Sequence, residues 1–133
     1  MDYQFSYDEG RKLVTIVQNG YWSMETFQAF KLEFLALHRK AFVRNKDYRV
    51  LADCSQFKVQ SNEVGLGFTE VFEHVMREYR GRYAIIAGST MNKMQARRFL
   101  PYRQMEVFGQ DERDRAIDWL FNDDDTESGG AVH

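Results

Sequence analysis

Between Tyr48 and Tyr79 the chain passes from a buried strand through a polar loop into an amphipathic helix, and this passage narrows the fold more than any other stretch. The opening segment, Tyr48–Asp53, carries Val50, Leu51 and Ala52 in succession with no polar alternation. A strand with one face in water alternates, whereas a strand covered on both faces does not. Cys54, Ser55 and Gln56 break this strand, and Ser61–Gly67 leads into a helix. Its stripe of Val64, Phe68, Val71, Phe72, Val75, Met76 and Tyr79 recurs at steps of three and four. Gly81 then reads as the residue that ends the helix. Arg82–Gly88 repeats the unalternating pattern through Tyr83, Ala84, Ile85, Ile86 and Ala87. Covered strands joined by a helix are the unit of a parallel sheet built by right-handed crossovers.

The flanking segments extend the same scheme. Tyr3, Phe5 and Tyr7 alternate with polar residues, Asp8–Gly10 supplies a turn, and Leu13–Val17 returns, which predicts an antiparallel hairpin. Ser23 is placed to cap a helix whose stripe is Phe27, Phe30, Phe34, Leu37 and Ala41. Ser89 and Thr90 open a short basic helix from Met91 to about Leu100, stopped near Pro101, the single proline. Met105–Phe108 is the last strand, Gly109 the turn, and Asp111 a cap for a final helix with Ala116, Ile117 and Leu120 facing inward. The expected order is ββαβαβαβα: an α/β fold with a mostly parallel central sheet, an N-terminal antiparallel hairpin and helices on both faces. Residues 1–121 form one domain in this reading. Residues 122–133 lack an apolar anchor and read as a mobile acidic tail.

Composition excludes several classes of function. At 133 residues and 44% hydrophobic, the chain can bury a core without disulfide or metal staples. Its 18 basic and 20 acidic residues are intermixed, so no basic stripe recommends a nucleic-acid partner. Cys54 is the only cysteine, which precludes an intrachain disulfide and fits a cytoplasmic setting. Met1–Phe5 has neither a basic region nor an apolar run of signal-peptide length, and no segment is long enough for membrane insertion. These features predict a soluble intracellular protein.

One loop carries a family resemblance. Asp53, Cys54 and Ser55 match an Asp-x-Ser at a strand end, and Gly65, Leu66 and Gly67 match the end of an Asp-Ser-x-Gly-Leu-Gly at a helix start. With the element order, this resembles the STAS domain of anti-sigma-factor antagonists and sulfate transporters. It is also similar to the divergent SpoIIAA-like branch, whose fold is related to that of lipid-binding Sec14 domains. Aligning on the glycines places the antagonists' phosphorylatable serine at Glu63 and its neighbouring aspartate at Asn62; taking Ser61 as that serine requires an insertion. The resemblance implies a non-catalytic regulatory or protein-interaction module with an unidentified protein partner, acting through the loop after Asp53. The Sec14 relation implies an alternative, a binder of a small lipophilic or anionic ligand.

The candidate binding residues are therefore Asp53, Ser55, Ser61, Asn62, Glu63, Gly65 and Gly67, each of which also has a structural reading. Asp53 can accept backbone N–H groups in a turn. Ser61 can cap a helix with Asn62 and Glu63 in its first turn, where free N–H groups and a positive partial charge also suit an anion. Gly65 and Gly67 each cost about 1 kcal/mol in a helix relative to alanine, so either something approaches closely or the regular helix begins only near Phe68. Cys54 beside Asp53 is a poor nucleophile without an activating histidine, and His38, His74 and His133 show no metal-ligand spacing. No catalytic residue, metal or cofactor is expected. Lys93, Arg97, Arg98 and Arg103 form a basic face that either is solvated or meets an anion. The aromatic surplus around Tyr21 and Trp22 suits a core, or a patch through which a homodimer would form.

Overall fold

A computed structural model describes residues 2–122; the acidic segment 123–133, with His133, lies outside the described residues. The described residues form an α/β fold, with five strands in one mixed sheet and four α-helices. The strands are β1 (Tyr3–Asp8), β2 (Leu13–Gly20), β3 (Arg49–Phe57), β4 (Tyr83–Ala87) and β5 (Met105–Gly109). The helices are α1 (Met24–Arg44), α2 (Asn62–Val75), α3 (Thr90–Phe99) and α4 (Arg113–Phe121). β1 and β2 pair antiparallel with Tyr3 opposite Gln18 and Asp8 opposite Leu13, while β2–β3, β3–β4 and β4–β5 are parallel. β3 and β4 are interior strands with parallel neighbours on both sides, as their unbroken apolar runs predict.

The strands stand in sequence order across the sheet. Right-handed crossovers that always advance the same way must put their helices on the same face. Accordingly α1, α2 and α3 share one core with the inward residues Val14, Ile16, Val50, Ala52, Cys54, Tyr83, Ile85 and Val107. α4 alone closes the other face, where Ala116 and Leu120 meet Leu13, Leu51, Ala84, Ile86 and Phe108. Neighbours in a strand point to opposite faces, so Val50 and Ala52 serve the first core and Leu51 the second.

Capping by serine defines three of the helices. Ser23, Ser61 and Ser89 accept at Oγ from the N–H groups of Thr26, Val64 and Asn92, each at 3.1 Å. The fourth begins differently from the sequence expectation. A 3₁₀ turn, Gln110–Glu112, precedes α4, and it is Glu112, not Asp111, whose carboxylate accepts from the Gly109 N–H at 2.8 Å. At the far end of α4, Arg49 and Arg82 donate to the carbonyls of Leu120 and Trp119 and lie over the rings of Phe121 and Trp119. Two cations thus occupy the negative end of the helix.

The end of α2 also departs from the expectation. α2 ends at Val75 with Met76 as its C-cap, and Gly81 has no left-handed backbone. Gly81 is required because a Cβ there would sit 2.1 Å from the Tyr48 carbonyl oxygen. In the hairpin turn the left-handed residue is Lys12, at φ 53°. His38 is part of the core. It lies four residues after Phe34 on the α1 stripe, 4% exposed, where Tyr48 donates its hydroxyl to Nδ1 at 2.7 Å and Nε2–H donates to Glu78 at 3.0 Å. Burial pushes the Tyr48 hydroxyl far up, with Glu78 adding to it, so the phenol stays a donor.

Candidate functional site

β3 does not break after Asp53. It continues through Cys54, Ser55, Gln56 and Phe57, because β2 also continues past a register shift after Val17 and pairs Asn19 with Gln56 and Gly20 with Phe57. Asp53 therefore sits within a strand, on the face covered by α4. Its Oδ1 accepts from the Ser55 hydroxyl at 2.7 Å and the Ser55 N–H at 3.1 Å, and its Oδ2 from Arg113 at the start of α4. Burial raises the Asp53 pKa, but the two Ser55 bonds and the Arg113 charge outweigh it and hold the carboxyl below its ordinary value. A carboxylate satisfied in this way ties α4 to the sheet.

Ser61, Asn62 and Glu63 open α2, which belongs to the opposite face of the sheet. The loop surface expected from sequence is thus divided: Asp53 and Ser55 lie on the α4 side, while Ser61, Asn62, Glu63, Gly65 and Gly67 lie on the α1–α3 side. Asn62 and Glu63 are exposed, and Ser61 is half-buried with its hydroxyl engaged by Val64. The helix is regular from Asn62, so the glycines are not avoiding its cost by a late start. A Cβ on Gly65 would stand 2.4 Å from the Phe99 ring, and one on Gly67 2.6 Å from the Phe27 ring. The close approach is therefore by aromatic rings of α3 and α1, which lets α2 lie against both neighbours.

The centre of this end of the molecule is Gln60. It is 7% exposed. Its Oε1 accepts from the Trp22 N–H at 2.8 Å, and its Nε2 donates to the carbonyls of Gly20 at 2.8 Å and Lys58 at 2.6 Å. Its backbone N–H and carbonyl pair with the Gln95 side-chain amide, both at 2.8 Å, and Asn92 Nδ2 donates to the Phe57 carbonyl at 2.8 Å. The Gln60 amide thereby joins the ends of β2 and β3, and the Gln95 and Asn92 amides fasten them to the first turns of α3. The segments this hub joins and the first turns of α2 and α3 carry Tyr21, Val59, Leu66, Met91 and Met94, five of the seven large apolar side chains exposed among the described residues.

No family model and no curated protein matches this chain.

Behind the hub, between the sheet and helices α2 and α3, lies a cavity of about 70 Å³. Its walls are mainly Ala52, Phe57, Phe68, Phe72, Ile85 and Phe99, and no charged side chain lines it. Cys54 opens onto it, but burial, and secondarily the Asp53 charge, drive its thiol pKa far up, which removes it as a nucleophile at neutral pH. The basic face is only partly solvated: Lys93 lies 3.8 Å from Glu112 and Arg98 stacks on Phe99, while Arg97 and Arg103 are exposed. Among the described residues, no group of three or more histidine, cysteine or acidic side chains is placed to hold a metal ion, and no helix is long and apolar enough to cross a membrane.

Proposed function

We propose that the chain is a non-catalytic, STAS-like interaction module of the SpoIIAA-like kind, binding a protein partner at the end of the molecule where α2 begins. The observation that carries this reading is the apolar rim of Tyr21, Val59, Leu66, Met91 and Met94, exposed yet mounted on a hydrogen-bonded base. Exposed large side chains on a rigid base suit recognition, because little backbone ordering is needed when a partner covers them. Support also comes from Asp53–Ser55 and Gly65–Gly67, which carry the family resemblance, and from Glu63, exposed in the first turn of α2. Glu63 supplies negative charge at the position where the antagonists carry their phosphoserine, and it selects a partner with a basic group beside an apolar patch. The partner contacts belong to Ser61, Asn62, Glu63 and the rim; Gly65 and Gly67 let α2 pack closely enough to present them, while Asp53 and Ser55 hold α4 on the opposite face.

Pull-downs from the native host should compare wild type with Glu63→Lys and Met94→Asp, both at exposed positions. At least one specific protein should disappear from both variants while the melting temperature stays within a few degrees. If the occupant is a second copy of the chain, light scattering should show a wild-type dimer and a Met94→Asp monomer. Identical partner lists and identical masses for three folded proteins would remove this surface as the site of function.

A further inference from the structure

Three residues with polar side chains line the cavity behind α3 from within the core: Gln18, Tyr83 and Cys54. Gln18 is 4% exposed and Tyr83 3% exposed. Among the described residues neither the Gln18 amide nor the Tyr83 hydroxyl has a hydrogen-bond partner, whereas Gln60, Asn92 and Gln95, which also line the cavity, are engaged. Buried polar groups in native proteins are nearly always paired, and an unpaired one beside a cavity calls for an explanation, of which a bound molecule is one. Gln18 takes an inward position in the series Val14, Ile16, Gln18, where an apolar residue would serve the core without cost. Tyr83 packs edge-on against Phe72, a contact that phenylalanine would make equally well.

We infer that this cavity is a binding site for a small uncharged molecule with a short apolar body and one hydroxyl or carbonyl oxygen, held by the Gln18 amide and the Tyr83 hydroxyl. This goes beyond partner binding at the rim and does not depend on it. The absence of charge in the lining excludes an ionic ligand, whose desolvation would go uncompensated. The volume is about half of the roughly 150 Å³ apolar cavity that accommodates benzene, so the ligand is of short-chain alcohol or ketone size. Both oxygen types suit the site, since an amide donates and accepts and a phenol does the same. Burial, with Cys54 a lesser influence, holds the Tyr83 pKa well above its ordinary value, so its hydroxyl remains a proton donor across the physiological range. The outer wall is α3, whose only buried residue is Phe99, and entry is on that side.

The test is a nitrogen–proton correlation titration of the labelled full chain with 1-butanol, 2-butanone and butyrate, following the side-chain amide signals of Gln18. The alcohol, the ketone or both should give saturable shifts, which identifies the preferred oxygen, and butyrate should give none. Gln18→Leu and Tyr83→Phe, followed on neighbouring backbone amides, should each weaken binding about tenfold, the loss of one hydrogen bond in a dry site. Glu63→Lys should leave probe binding unchanged, which separates failure of this site from failure of the rim. If Gln18→Leu does not fold, Tyr83→Phe decides, as it removes one oxygen and no packing. Linear, unsaturated shifts with both neutral probes, unchanged affinity in the folded variants, or slowly exchanging waters that the probes do not displace would overturn the inference.

Discussion

Single residues at the crossings of this fold do work that their type does not announce. The glycines divide by what they face. A Cβ on Gly65 or Gly67 would meet the outer atoms of aromatic rings, which can tilt away, whereas one on Gly81 or Gly88 would stand 2.1 and 2.3 Å from the backbone carbonyl oxygens of Tyr48 and Ser55, which cannot. Alanine at Gly65 or Gly67 also gains helix propensity of about 1 kcal/mol, which offsets part of the clash. We therefore expect Gly81→Ala and Gly88→Ala to lose about 3 kcal/mol and Gly65→Ala about 1 kcal/mol in urea unfolding. Equal losses at all four positions would mean that the ring contacts are as rigid as the backbone ones. Asp53 gives a second prediction, in pH. Its folded pKa is depressed, so its stabilisation is complete above the unfolded-chain value near ~4 and is lost as pH falls through the folded value. Asp53→Asn should lower the urea midpoint at pH 7, and the gap should close on acidification below about pH 4. A gap that persists unchanged at low pH would show that Ser55 and Arg113 do not favour the charged form.

At the scale of elements, α2 is fixed most firmly. It is capped by Ser61, buries Val64, Phe68, Val71, Phe72 and Val75, and is flanked by rings from both neighbouring helices. Ser61→Ala should cost about 1 kcal/mol by removing the acceptor for the Val64 N–H, and Ser61→Asp should retain most of that stability because a carboxylate also caps and favours the helix dipole. Chemical unfolding of the two variants checks this; equal losses would place the role of Ser61 elsewhere than in capping. α3 is held in another way. It buries Phe99 and otherwise relies on hydrogen bonds from Asn92 and Gln95 to the loop after β3, and from Thr69 of α2 to its last carbonyl at 2.7 Å.

The whole molecule is a sheet wound in one direction, with three helices on one side and α4 on the other. The strand order does not reverse, so the fold lacks the crevice that forms where neighbouring crossovers part to opposite faces. The cavity arises instead beneath the most lightly anchored helix of the three-helix layer. Local stability should follow burial. In hydrogen-exchange mass spectrometry, peptides from Thr90–Phe99 should open at lower free energy than those from Tyr83–Ala87, every residue of which is buried. Equal protection would mean that α3 opens only with global unfolding, and would close the route into the cavity.

Local sequence determined the elements and their order of burial. The apolar runs of β3 and β4, the aromatic stripe of α1, the period of α2 and the capping serines Ser23 and Ser61 are legible because each arises from neighbours within a few residues. Two further signals were present in the same patterns: His38 falls on the α1 stripe, and Gln18 on the inward side of β2. What tertiary structure decided involves partners distant in the chain. β3 runs on to Phe57 because β2 offers it a partner as far as Gly20. Gly65 and Gly67 are dictated by Phe99 and Phe27, and Gln60 becomes a hub because Trp22 and Gln95 converge on it. The division of Asp53 from Ser61 by the sheet follows from strand parity combined with the winding direction. Periodicity records which side of an element is buried; the hand of the crossovers and the meeting of distant side chains decide what it is buried against.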